Sequence, residues 1–173
     1  MSNRLNLREF QQGLIDRIRS PDTAGARAST LGVQIAGQNF LVEMGDIAEV
    51  LPLPPLTIVP FVKPWFRGVA NVRGNLYCVV DMAAYSHGGA TAPEGQAQAP
   101  GDANNRVLLV AERHGINAAL LVDCVLGLRD ARTWLQSNGS DQQIEYRDER
   151  GAIWRKLDVR GLVGQEGFLQ IGG

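Results

Sequence analysis

The pattern of apolar and polar residues divides the chain near residue 30. Before that point, apolar residues recur at helical spacing, at Leu7, Phe10, Leu14 and Ile18. Asn6 is a residue type that caps helix starts, and Pro21 ends the pattern. Residues 1–29 are therefore predicted to form an amphipathic helix and a small polar linker. The apolar stripe of this helix packs either on the rest of the chain or on a partner.

From Thr30 onward the pattern has a period of two, which is typical of half-buried strands. It predicts a hairpin that turns at Gly37–Asn39 and a third strand at 47–51. Further runs predict strands at 56–59, 68–72, 76–81, 106–111, 116–122, 124–128 and 152–157. Residues 86–105 contain no large apolar side chain and are predicted to be a mobile surface loop, because they cannot bury enough surface to become ordered.

The chain also resembles itself at an offset of 77 residues. Three pairs of segments share that offset: Arg73–Met82 with Arg150–Val159, Asp46–Leu51 with Asp123–Leu128, and Leu31 and Val33 with Leu108 and Val110. One offset in three places predicts two copies of a unit of about five strands. Strands this short are best protected in a closed barrel, and two barrels side by side would form a seam that suits a binding partner.

Composition restricts the function. The net charge is −1, with Lys+Arg 17 against Asp+Glu 18, so no overall field draws the chain to nucleic acid or acidic lipid. The N-terminus lacks a signal sequence, and no apolar run approaches the ~20 residues needed to cross a bilayer, so a cytoplasmic location is expected. Cys78 and Cys124 lie in apolar runs without metal-ligand spacing, and no cofactor or metal is expected.

No familiar catalytic motif is present in the sequence. It contains no phosphate-binding loop, no nucleophile elbow and no His-Glu-x-x-His. His87 falls in the predicted loop and His114 in a turn, while Asp81 and Asp158 occupy equivalent strand ends, where Asp caps a following helical turn. A non-enzymatic protein is therefore expected. The alternatives are a small-barrel nucleic-acid-binding protein, which requires a basic patch, and an enzyme that uses the seam as its cleft.

The segment Pro64–Gly74 combines aromatic, arginine and glycine residues. Such a composition is typical of interface anchors, which makes Trp65, Phe66 and Arg67 possible accessory interface residues. A glycine turn with solvated arginines explains the composition equally well. The sequence leaves both interpretations open.

The stretch Gly68-Val-Ala-Asn71-Val-Arg73-Gly74-Asn-Leu-Tyr-Cys-Val-Val-Asp81 resembles a signature of CheW-like chemosensory coupling proteins. Asp46–Val50, Leu121–Val125 and Lys156–Val159 resemble further parts of that family. The resemblance implies an all-β fold of two interleaved, SH3-like, five-stranded barrels over 30–165, with a C-terminal tail at 166–173. It also implies a non-enzymatic adaptor.

The resemblance implies two partners, the hairpin tip of a methyl-accepting chemoreceptor and the regulatory domain of a CheA-type histidine kinase. Arrays with other CheW-like domains, at membrane-associated receptor clusters, are also implied. The receptor groove would contain Ile47, Glu49, Gly68 and Arg73 from the first barrel and Val107, Ala119 and Val125 from the second. Glu49 and Arg73 are candidates for an ion pair.

The N-terminal helix and the Pro-Trp-Phe-Arg sequence resemble the coupling proteins of type IV pilus (twitching) systems. One segment departs from the family pattern. Arg132–Ser137 replaces the proline-rich stretch that usually follows the third strand of the second barrel, so the contacts that the family makes there are not carried over.

Overall fold

The computed structural model describes residues 30–88, 103–139 and 143–172. The described residues contain strands β1 Thr30–Ile35, β2 Gln38–Glu43, β3 Ile47–Pro52, β4 Phe66–Val72, β5 Asn75–Asp81, β6 Arg106–Val110, β7 Ala118–Val122, β8 Cys124–Arg129, β9 Leu135–Asn138, β10 Ile144–Arg147 and β11 Ile153–Leu157. Three short helices accompany them, α1 Met82–Ser86, α2 Val159–Val163 and α3 Glu166–Leu169. The predicted N-terminal helix and positions 89–102 of the predicted loop lie outside the described residues.

The strands form two sheets that exchange hairpins. The first barrel is the five-stranded sheet β3-β6-β7-β5-β4, and the second barrel is the six-stranded sheet β8-β1-β2-β11-β10-β9. Hairpin β1–β2 of the first copy thus belongs to the second barrel, and β6–β7 of the second copy belongs to the first. The parallel pairs β2–β11 and β5–β7 are equivalent at the 77-residue offset. The predicted all-β duplication is confirmed.

The first barrel closes through a single bridge. Thr57 and Val69 exchange two backbone hydrogen bonds of 2.8 and 2.9 Å, which join the segment after edge strand β3 to the opposite edge strand β4. The predicted strand at 56–59 is wrong beyond this bridge. Pro54, Pro55 and Pro60 lack the N–H that a longer ladder needs.

The second barrel has a full strand at the equivalent place, where β9 pairs with β10. Neither strand was predicted. The four residues of β9 are all exposed, so the strand shows no apolar alternation. The first hairpin also turns earlier than predicted, at Ala36–Gly37, where both residues have positive φ.

Alternating residues divide the core into three parts. Along β6, Leu108 and Val110 face a large cluster shared by both sheets, whereas Val107 and Leu109 face the interior of the first barrel. A third cluster around Leu41, Ala131 and Trp154 fills the second barrel. The seam that was predicted to be a groove is therefore occupied by the main core between the two sheets.

In both copies, an aspartate caps the start of the short helix that follows the last strand. Asp81 accepts a hydrogen bond from the Ala84 amide (3.1 Å) and Asp158 accepts one from the Gly161 amide (3.0 Å), which confirms the predicted capping role.

The segment predicted to be a tail packs on the first copy. Phe168 is only 3% exposed, and Val62 and Gly172 form a bridge. No helix in the described ranges is long and apolar enough to cross a bilayer.

Candidate interaction surface

The family-like stretch folds as the β4–β5 hairpin, which turns at Arg73 and Gly74. Both turn residues have positive φ (52° and 87°), as a two-residue turn between twisted strands requires. Asn71 stabilises the turn by accepting a hydrogen bond of 2.9 Å from the Gly74 amide. This turn leaves the Arg73 side chain 71% exposed.

Arg73 forms a bidentate ion pair with Glu49. Its two terminal nitrogens donate hydrogen bonds of 2.5 and 2.7 Å to the two carboxylate oxygens. These hydrogen bonds lower the pKa of Glu49 below its ordinary value. Since Glu49 lies on edge strand β3 and Arg73 at the end of β4, the pair spans the line where the first barrel closes.

Gly68 lies directly beside this closure. A Cβ atom there would lie 2.4 Å from the Thr57 carbonyl oxygen, and φ is +131°. Glycine therefore permits the Thr57–Val69 bridge, which gives Gly68 a structural role whether or not it also contacts a partner. Ile47, at the start of β3, is buried and pairs with Val110.

Val107 and Ala119 were assigned to the second barrel, and that assignment is wrong. Because the copies exchange hairpins, both residues lie in the five-stranded sheet of the first barrel. Both are almost fully buried in the core of that barrel. Their side chains support the strands beneath the surface and are not exposed on it.

Val125 is the one predicted groove residue in the second barrel. It lies on β8, is half-buried, and packs against the shared core opposite Val33. Three residues further on, Leu128 is 62% exposed opposite Leu31, at the rim of the seam. Sequence analysis missed Leu128, because Gly127 and a bulge between β1 and β8 interrupt the alternation that would have predicted its direction.

The two aromatic residues of the Pro64–Gly74 segment lie in the core. Trp65 is in edge contact with Tyr85, with ring centroids 5.2 Å apart, and stacks on Phe168 at 6.2 Å. Phe66 is buried in the same cluster. Their side chains are therefore not part of the exposed surface. Arg67 is partly exposed and lies 3.7 Å from the Asp81 carboxylate.

Sequence analysis also missed a buried polar cluster around Asp46. Its carboxylate accepts a hydrogen bond from Arg113 and lies 3.0 Å from Nε2 of His114, so His114 is more than a turn residue. Burial raises the pKa of Asp46, but the hydrogen bonds and charges of Arg113 and His114 outweigh it and lower the pKa overall. The contact joins positions 68 residues apart, which no local pattern signals.

The equivalent position in the second copy is Asp123. It accepts a hydrogen bond of 3.1 Å from the Gly37 amide, and Gly37 is itself the equivalent of His114. No ion pair within the described residues involves Asp123. Burial, together with the nearby charge of Asp81, raises the pKa of Asp123. The pKa values of these two equivalent carboxylates are thus shifted in opposite directions.

The described part of the chain holds no group of three or more His, Cys, Asp or Glu side chains arranged for a metal ion. What the site offers is an exposed ion pair at the edge of the first barrel, next to partly apolar edge strands. An ion pair of fixed geometry gives orientation and specificity to a protein contact more than raw affinity. Fold and surface together describe a double-barrel β module with an exposed ion pair at the edge of its first barrel.

The comparisons with known proteins identify the family of this module. The model of the CheW-like domain matches residues 29–165, and the chain belongs to that family. The chain is 37% identical over 101 residues to Protein PilI of Pseudomonas aeruginosa. That match covers 58% of this chain and 52% of the relative, so the chain spans about half the length of the curated relative it matches.

A solved structure supports the fold. The scaffolding protein TtCheW from Thermoanaerobacter tengcongensis superimposes with a TM-score of 0.62 over 81% of this chain and 94% of that chain. The two sequences are 16% identical, so the likeness concerns the fold.

Proposed function

We propose that this protein is a non-enzymatic adaptor that couples methyl-accepting chemoreceptors to a CheA-type histidine kinase. The observation that carries the proposal is the family-like β4–β5 hairpin, whose turn presents Arg73 in a bidentate pair with Glu49. Membership of the CheW-like family supports it. The solved relative TtCheW is described as a scaffolding protein, which is consistent with the proposal.

The receptor would bind as a helix in a groove along the rim of the seam. Receptor tips are helical hairpins, and such helices insert aliphatic side chains into a groove while polar groups fix their register. Edge strands β3 and β8 would form the sides of this groove, with Arg73 reaching a polar group on the helix and with Val125 and Leu128 supplying apolar contacts. Ile47, Gly68, Val107 and Ala119 would hold these strands in place from below.

The kinase would bind through the barrel ends, like against like, so that alternating domains could build arrays. Each contact would be modest, on the order of 1,200 Å² or less, and avidity in the array would supply stability. The adaptor would act in the cytoplasm and be recruited to receptor clusters at the membrane.

We further propose that the system served is the one that controls type IV pili and twitching motility. The likeness to Protein PilI supports this assignment. A gene neighbourhood that encodes a receptor, a CheA-type kinase and pilus proteins would strengthen it. A neighbourhood of flagellar chemotaxis genes would contradict it.

The adaptor function is tested by reconstitution with a soluble fragment of the receptor tip and the kinase regulatory domain. We expect one ternary complex in size-exclusion chromatography. Arg73→Ala should weaken receptor binding by about tenfold to a hundredfold, as truncation of an interface arginine does, and should leave the fold intact.

Arg150→Ala is the matched control, because Arg150 occupies the equivalent turn of the second copy and is also exposed. It should leave receptor affinity within about twofold, since a solvated side chain outside the interface contributes little. Equal affinities of wild type and Arg73→Ala in an isothermal titration would refute the role assigned to Arg73. Absence of any complex with both partners would refute the adaptor function.

A further inference from the structure

Strand β9 is an open edge of the second barrel. It pairs with β10 on one side, and its four residues are all exposed. No other backbone hydrogen bond joins these residues to the described part of the chain. Gly139 donates a hydrogen bond of 2.9 Å to the Gln143 carbonyl, so the alternation of an antiparallel ladder directs the backbone groups of Gln136 and Asn138 outward.

Within the described residues, this edge lacks the features by which proteins usually protect an edge strand. Charges, prolines, bulges and covering segments prevent other chains from adding to a sheet. β9 reads Leu-Gln-Ser-Asn and contains neither a charge nor a proline. The equivalent segment of the first copy, 58–61, contains Pro60, and the bridge at Thr57 holds it to β4. The two copies differ at this edge.

The side chains around β9 define what could bind there. On the outer face, Leu135, Arg147 and Ile153 form a row across β9, β10 and β11. Leu135 is 74% and Ile153 48% exposed, and Arg147 has no ion pair within the described residues. On the opposite face, Gln136 lines a pocket together with Thr30, Leu41, Glu43, Ala131, Arg132, Tyr146 and Lys156.

We propose that β9 is a docking site for an extended segment of a protein partner, which adds to the second barrel as a further strand. Its backbone would pair with Gln136 and Asn138, and alternate side chains would give specificity. An apolar residue would lie beside Leu135 and an acidic residue near Arg147, while side chains of the opposite face would reach the pocket. This site is separate from the receptor groove and does not depend on the receptor and kinase roles.

A second copy of this chain fits the edge poorly. Pairing of two four-residue strands buries far less than the ~800 Å² on each side that a stable dimer needs. The β9 strand of a second copy would also bring no carboxylate to the site, because it reads Leu-Gln-Ser-Asn. Charge complementarity therefore favours an acidic, extended segment of a different protein.

The test uses the full chain and a capped seven-residue peptide, Val-Thr-Glu-Thr-Val-Thr-Glu. Valine and glutamate alternate on one face of this peptide when it is extended. In an NMR titration, the amide signals of Gln136 and Asn138 should shift in a saturable way. The same peptide with N-methyl groups on alternate amides should bind about tenfold more weakly, because it keeps the side chains and loses the interstrand donors. Replacement of glutamate by lysine should also weaken binding.

Matched protein variants test the same edge. Gln136→Pro removes an outward N–H without removing a donor from the ladder to β10, and should weaken peptide binding at least about tenfold. Gln136→Ala, which keeps the donor, should stay within about threefold. The N-methyl comparison needs no variant, so it stands even if Gln136→Pro unfolds.

Three results would overturn the proposal. The first is equal binding of the plain and N-methylated peptides. The second is strong protection of the Gln136 and Asn138 amides from hydrogen exchange in the free full chain, which would mean that another part of the chain already covers the edge. The third is concentration-dependent self-association that the peptide reverses, which would identify a second copy as the occupant.

Discussion

The two barrels derive from one repeated unit and are nevertheless closed by different chemistry. In the first barrel, a single backbone bridge at Thr57 and the ion pair of Glu49 and Arg73 join the edges. In the second barrel, Leu126 stands where Glu49 stands, so the ion pair has no counterpart there. Its interior is closed by aromatic packing, with the ring centroids of Trp134 and Trp154 5.4 Å apart.

The difference shows which parts of the repeat the fold requires and which it leaves free. Both copies keep the capping aspartate and the exchanged hairpins, because these satisfy backbone groups and bury the shared core. The line where each barrel closes is less constrained, since an exposed ion pair lies there in the first copy and the half-buried Leu126 in the second. The first barrel therefore presents an exposed ion pair at its closing edge, while the second presents a strand whose outer edge is unpaired within the described residues.

The largest expected effect comes from the C-terminal segment, where Phe168 packs on aromatic residues of the first copy. Phe168→Ala should lower the free energy of unfolding by about 3–5 kcal/mol, because it removes a buried ring that contacts Trp65 and Tyr85. Leu135→Ala, at an exposed site of the second barrel, should change it by less than about 0.5 kcal/mol. Urea unfolding measures both. Similar values for the two variants would show that the C-terminal segment does not pack as described.

The closure of the first barrel gives the next largest effect. Gly68→Ala should destabilise the protein by about 2–4 kcal/mol, because the new Cβ would collide with the Thr57 carbonyl at a φ that side chains rarely adopt. Gly74→Ala is the control, since its φ is also positive but no atom lies within 4 Å, and it should cost only about 1 kcal/mol. If the Gly68→Ala protein were as stable as the Gly74→Ala protein, the close approach of Gly68 to the Thr57 carbonyl would be wrong.

The equivalent carboxylates of Asp46 and Asp123 should change the stability of the protein with pH in opposite directions. The pKa of Asp46 is lowered in the folded state, so its stabilisation is present at neutral pH and is lost as the pH falls through its folded pKa. The pKa of Asp123 is raised, so its charge opposes folding once the pH rises through that raised value.

Asp46→Asn should therefore destabilise the protein at pH 7 by about 1–3 kcal/mol and flatten the loss of stability on acidification. Asp123→Asn should be neutral or stabilising at pH 7, since an amide oxygen can still accept the hydrogen bond from Gly37. Unfolding curves at pH 7, 5 and 4 decide between these outcomes. If both variants shift stability in the same direction, the contrast between the copies is wrong.

The smallest effect on stability is expected at Glu49, a residue of the proposed receptor groove. Glu49→Gln should leave the melting temperature almost unchanged, because an exposed ion pair contributes little to stability. The same variant should weaken receptor binding, because Arg73 would lose the partner that orients it. Differential scanning fluorimetry and a receptor titration measure the two effects. A large drop in melting temperature together with normal binding would reverse the assignment.

Much of the candidate site was visible in the sequence because it is local. The motif that ends in Asp81 predicted the β4–β5 hairpin, and the ion pair of Glu49 and Arg73 was expected from the family resemblance. The status of Trp65 and Phe66 could not be decided, because an aromatic residue beside a turn is equally compatible with an interface and with a core. Only the packing of Tyr85 and Phe168 against Trp65 decides it.

The sequence by itself determined the strands with clear alternation, the capping aspartates and the duplication, since each follows from neighbouring residues or from a repeated pattern. The tertiary structure alone decided which barrel receives Val107 and Ala119, how His114 meets Asp46, and which edge stays open at β9. The physical reason is that ladder hydrogen bonds join backbone groups that are the same in every residue. Alternation therefore specifies which face of a strand is buried, whereas only the packed fold selects the sheet in which that face is buried.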